Sequence, residues 1–159
     1  MHCTARRNTA RGAGETGLRA LRTLARRGLS REALREALRR AGLTDAEVEA
    51  ELDAATRLGA LDDARSARAR ARTLVLRDGW ARDAMRARLV RDGYAEAVAE
   101  EALAEVIAEE GWTERAAAAR LLRPGAPPRS MARKLLARGF APDLVRALLP
   151  GVEGMEEGG

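Results

Sequence analysis

The chain has 159 residues, a formal net charge of +5 and a pI near 10.7. The basic surplus is almost all arginine, with Lys134 the only lysine, and it favours an anionic partner without specifying a fold. The only histidine, His2, and the only cysteine, Cys3, lie in the first residues. They leave no internal disulfide, no spaced Cys/His metal set and no His-based catalyst, and no apolar run approaches the ~20 residues of a membrane span.

Residues 1–14 carry Arg6, Arg7 and Arg11 without an apolar stretch, which is no secretory signal; they read as a disordered tail. The helical period begins after Glu15 with Leu18, Leu21, Leu24 and Ala25 and stops at Gly28. Ser30 is placed to cap a second helix through Leu34 and Leu38, with Arg39 and Arg40 at its negative end and Gly42 as terminator. Thr44-Asp45-Ala46-Glu47 is a capping box, with Leu43 and Val48 as its apolar staple, opening a third helix that ends at Leu58-Gly59.

Asp62 or Asp63 then caps a long arginine-rich helix reaching Arg77. A short helix follows over about 81–91, and another over about 95–109 stopped by Gly111. A further helix opens at Thr113 and is interrupted by Arg123-Pro124-Gly125-Ala126-Pro127-Pro128; the residues after Pro150 read as a second disordered tail. No stretch alternates like a strand, so the class is all-α.

The layout is a tandem repeat. Gly28 and Gly42, Gly79 and Gly93, and Gly125 and Gly139 share one spacing. Leu34/Leu38, Met85/Leu89 and Met131/Leu135 follow the first glycine at matched positions, and Leu43, Tyr94 and Phe140 follow the second. Pro128 and Pro142 fall where the register places a first helical residue, the one helical site proline suits. This predicts helix-turn-helix-like three-helix modules over 15–59, 60–111 and 112–150, flanked by tails 1–14 and 151–159. Each module is too small for a large core, so the modules lean on one another in an elongated array.

No catalytic constellation, phosphate-binding loop or cofactor motif is present, which predicts a non-enzyme without cofactor or metal. The second helices are basic (Arg31, Arg35, Arg39, Arg40; Arg82, Arg86, Arg88, Arg91; Arg129, Arg133, Lys134, Arg138) while the third helices of the first two modules are acidic. Such segregation serves either intramolecular neutralisation or a stripe for a polyanion. The acidic third helix sits where a recognition helix would, which argues against sequence-specific duplex reading and for phosphate contact through arginines elsewhere. The candidate contacts are Arg65, Arg68, Arg72, Arg77, Arg82, Arg86, Arg88, Arg91, Arg133, Lys134 and Arg138. Tyr94, Phe140 and Trp80 hold positions that other repeats give to leucine and read as core; Trp112 has no such counterpart.

The segment LARRGLSREALREALRRAGLTDAEVEAELDAATRLGALDDARSARA, Leu24 to Ala69, resembles the RecX family of bacterial regulatory proteins. The resemblance continues through RDGWARDAMRARLVRDGY and MARKLLARGFAPDLVRALL, over residues 18–149. It implies three tandem three-helix modules in an extended, curved molecule; the lone cysteine fits a cytoplasmic location, and the protein is expected to be monomeric. The implied partner is the RecA recombinase filament on single-stranded DNA: such proteins lie along its groove, restrain its ATPase, strand-exchange and coprotease activities, and favour disassembly. One departure is Ser66-Ala67, where the family usually has Phe-Ala, which should thin the packing there or shift it onto alanine. Two other functions fit the residues: a protein binding single-stranded DNA, or duplex non-specifically, without the recombinase, and a helical scaffold for another protein.

Overall fold

The computed structural model describes residues 29–151. Within them the chain forms only helices: α1 (Arg31–Arg40), α2 (Asp45–Arg57), α3 (Asp63–Thr73) with a π-helical turn (Leu74–Asp78), α4 (Arg82–Arg91), α5 (Glu96–Glu110), α6 (Glu114–Arg120), α7 (Pro128–Ala137) and α8 (Pro142–Leu148). The helix expected over Leu18–Ala25, and residues 1–28 and 152–159 as a whole, lie outside the described residues. None of the helices described is long and apolar enough to cross a membrane.

The local signals act as their chemistry requires. Ser30 Oγ accepts from the Ala33 amide, and Thr44 and Glu47 close a reciprocal capping box. Pro128 and Pro142 each open a helix. Gly42, Gly93 and Gly139 leave their helices at φ +90°, +92° and +84°, a region that costs any other residue about 1–2 kcal/mol.

The core is divided in chain order. Leu34, Leu38, Val48, Leu52, Ala55 and Leu61 form one buried cluster between α1 and α2. A second joins Ala67, Ala71, Leu74 and Val75 to Met85, Leu89, Tyr94, Ala99, Ala102, Leu103 and Val106. A third contains Ala81, Ala117, Ala118, Ala132, Leu135, Phe140 and Val145. The principal helix contacts stay within these groups: α1 on α2, α3 on α5 with α4 beside both, and α6 and α7 on α8. The result is an elongated helical array. The α3–α5 contact, the heaviest, is lined with alanine on both sides, and small side chains let helix axes approach closely. Ser66 hydrogen-bonds the Tyr94 hydroxyl, and the packing at this point rests on Ala67, Ala71, Leu74 and Val75.

The groups are joined by two clasps built alike. At the first, the Arg31 amide donates to Asp63 Oδ1 (2.7 Å) and Ser30 Oγ donates to the Asp92 carbonyl (2.7 Å). At the second, the Arg82 amide donates to Glu114 Oε1 (3.1 Å) and the Ala81 amide donates to the Arg138 carbonyl (3.0 Å). Ser30 and Ala81, Arg31 and Arg82, Asp63 and Glu114, and Asp92 and Arg138 are matching repeat positions. Each clasp supplies an amide at a helix start, otherwise unpaired, with a carboxylate from the next group. Of the acidic pair Asp62-Asp63, Asp62 caps its own helix by accepting from the Arg65 amide, while Asp63 caps its neighbour's.

Candidate polyanion interface

Charge segregation along the sequence becomes pairing across helices. On α1, Arg31 donates to Asp53 (2.9 Å) and Glu49 (3.3 Å), Arg35 to Glu49 (2.8 Å) and Arg39 to Asp45 (2.9 Å), all on α2. The next repeat reproduces this: Arg82 pairs with Glu100 and Arg86 with Glu96 (2.5 Å). Arg82–Glu100 occupies the same repeat positions as Arg31–Glu49. The hydrogen bond from Arg35 holds Glu49 below the ordinary carboxylate value, and its partners in turn raise Arg35, Glu49 foremost. Thr44 holds Glu47 down in the same way.

Arg68 and Arg72 on α3 are also neutralised, though not by a neighbouring second helix. They reach the C-terminal end of α5: Arg68 pairs with Glu109 and Glu105, and Arg72 with Glu109 (2.7 Å) and Glu110 (3.1 Å). The α3–α5 packing brings these carboxylates at the end of α5 against α3. Four of the expected contact residues, Arg68, Arg72, Arg82 and Arg86, therefore hold carboxylates of their own chain. All six pairs are at least partly solvent-exposed and worth about 0–1 kcal/mol each.

The remaining candidates have no ion pair among the described residues. Arg65 caps the Gly59 carbonyl (3.0 Å). Arg77, Arg91 and Arg133 are exposed, and Lys134 is half-buried. Arg88 and Arg138 converge on one ring: their guanidinium carbons lie 3.5 and 4.8 Å from the centroid of Trp80. Arg138 Nη1 donates to the carbonyls of Asp78 and Gly79 (3.2 Å to the latter), filling acceptors at the end of the π-helical turn. Arg88 Nε is buried with no hydrogen-bond partner among the described residues. Trp80 rests one side on the central cluster, so it is both the expected core residue and a platform for two cations.

The other aromatics are structural. Tyr94 and Phe140 are buried, 3% and 2% exposed, and burial raises the Tyr94 hydroxyl above its ordinary pKa. Trp112, without a counterpart in the sequence reading, packs against both the central and the third clusters and seals their junction.

No family model and no curated protein matches the chain. Among solved structures, the crystal structure of RecX from Lactobacillus salivarius matches with a TM-score of 0.63 at 18% identity, over 86% of this chain and 94% of that one. The chain has a RecX-like fold. At this identity the likeness to RecX resides in the backbone path.

Proposed function

We propose that the protein regulates a RecA-type recombinase by binding its filament on single-stranded DNA. In this reading it lies along the filament groove, inhibits ATP hydrolysis, strand exchange and coprotease activity, and favours disassembly. The observation that supports it is the RecX-like backbone over most of both chains, reached independently of the sequence segments that resemble that family. The units 15–59, 60–111 and 112–150 would follow successive turns of the target as a monomer in the cytoplasm, with no catalytic step of their own. Several weak contacts along a repeating target give avidity without any single strong site.

Titrating the protein into a recombinase hydrolysing ATP on single-stranded DNA tests this. Dose-dependent inhibition supports the reading; unchanged hydrolysis at saturating protein rejects it. The unneutralised arginines near Trp80 favour a second reading, direct binding of nucleic acid without the recombinase. That reading expects salt-sensitive DNA binding together with unaffected ATP hydrolysis.

A further inference from the structure

We propose that Trp80, Arg88 and Arg138 form a subsite for a phosphodiester of single-stranded nucleic acid, extended along the strand by Arg77 and Arg91. The inference rests on the reading that the protein meets nucleic acid, and it names where. On α1, α3 and the first turns of α4, carboxylates hold Arg31, Arg35, Arg39, Arg68, Arg72, Arg82 and Arg86. Arg88 and Arg138, which meet over Trp80 between the π-helical turn and α4, stand outside this pairing. There, two guanidiniums share a single indole, at 3.5 and 4.8 Å, and neither has a carboxylate partner among the described residues.

Arg88 donates to no group among the described residues, and Arg138 spends only Nη1 on backbone carbonyls, leaving Nε and Nη2 without a partner. Arg91 stands one turn beyond Arg88 on α4, and Arg77 directly precedes the carbonyl that Arg138 holds; both are exposed. Grouping like charges without an anion is unfavourable unless something offsets it. The indole face does so in part, and its stacking also holds each planar fork in a preset orientation.

The choice of ligand follows from charge and geometry. A guanidinium fork matches two phosphate oxygens, and Arg is suited to that bidentate contact. One carboxylate would neutralise a single member of the group, whereas successive phosphates of a strand neutralise all four. Trp80 is covered by the cations, so the strand is held by its backbone and the subsite reads no base.

The chain has two tryptophans, so Trp112→Phe leaves Trp80 as the sole indole reporter at the subsite. In that background, oligothymidylate is titrated while Trp80 emission and oligonucleotide anisotropy are followed together. The expected result is a saturable emission change that tracks binding. Arg88→Gln should weaken it several-fold and lower the log–log salt slope by about 0.7, the value per phosphate on a single strand. Arg88 has no hydrogen bond among the described residues to lose, so Arg88→Gln removes only its stacking on Trp80, whereas Arg138→Gln also removes the bonds to the Asp78 and Gly79 carbonyls and is compared with Arg138→Lys. Arg57→Gln, exposed and on α2, should change nothing.

Anisotropy that rises while Trp80 stays silent overturns the subsite and leaves the proposed function standing. Oligoglutamate moving Trp80 as strongly as oligothymidylate overturns the phosphodiester assignment in favour of an acidic protein segment. A Trp80 response to oligothymidylate, lost in Arg88→Gln, in a protein that does not affect recombinase ATP hydrolysis supports the subsite and rejects the filament reading.

Discussion

Replacing glycine by alanine at the same repeat position three times measures how firmly the repeats are seated. Gly42, Gly93 and Gly139 share a left-handed backbone, so each replacement carries a conformational cost of about 1–2 kcal/mol. What differs is the space a methyl would enter. At Gly42 nothing lies within 4 Å. At Gly139 the methyl would come 3.1 Å from the Ala84 methyl, a contact that yields with a small shift. At Gly93 it would lie 2.5 Å from Ser30 Oγ, 3.2 Å from Glu32 Cβ and 3.3 Å from the Ala33 amide nitrogen, in the middle of the first clasp.

Relieving that overlap displaces the start of α1 and breaks the bond from Ser30 to the Asp92 carbonyl. Overpacking at about 1–3 kcal/mol and a lost hydrogen bond near 1 kcal/mol put Gly93→Ala about 2–4 kcal/mol below Gly42→Ala. In a chain of this length the difference is roughly 5–15 °C in melting temperature. Urea and thermal unfolding of the three single variants should rank them Gly42 mildest, Gly139 intermediate and Gly93 most severe. Equal losses at Gly42 and Gly93 would refute the clasp as a rigid junction.

Removing paired cations should act on stability and removing unpaired ones on binding. Arg68→Ala with Arg72→Ala should cost about 1 kcal/mol at low salt, less at high salt, with little change in oligonucleotide affinity. Arg91→Gln should leave unfolding within about 0.5 kcal/mol of the parent while lowering the salt slope of binding. Acid sensitivity should report the first repeat: Glu47 and Glu49 sit below the ordinary carboxylate value of about 4.3 in the folded chain. Their contribution is therefore present above that value and lost as pH falls through their folded pKa, and Glu47→Gln with Glu49→Gln should flatten the acid limb of a stability profile. At the alkaline end, burial raises Tyr94, so stability should fall as pH climbs past about 10, and Tyr94→Phe should remove that fall at a cost near 1 kcal/mol.

Glycine spacing, apolar period, capping residues and two prolines were sufficient to establish helix succession and repeat register, because each acts over a few neighbouring positions. Ser30, Thr44 and Pro128 do in three dimensions what they announce in one. Charge segregation was equally visible, but its meaning was not, since a solvated flank and a paired flank have the same composition. Only helix packing decided that Arg68 and Arg72 would meet the end of α5, that Asp63 would cap a helix in the preceding repeat, and that Arg88 and Arg138, fifty residues apart, would share Trp80. These contacts depend on how one repeat is rotated against the next. That rotation is set by interlocking surfaces spread over many residues, and no local signal encodes it.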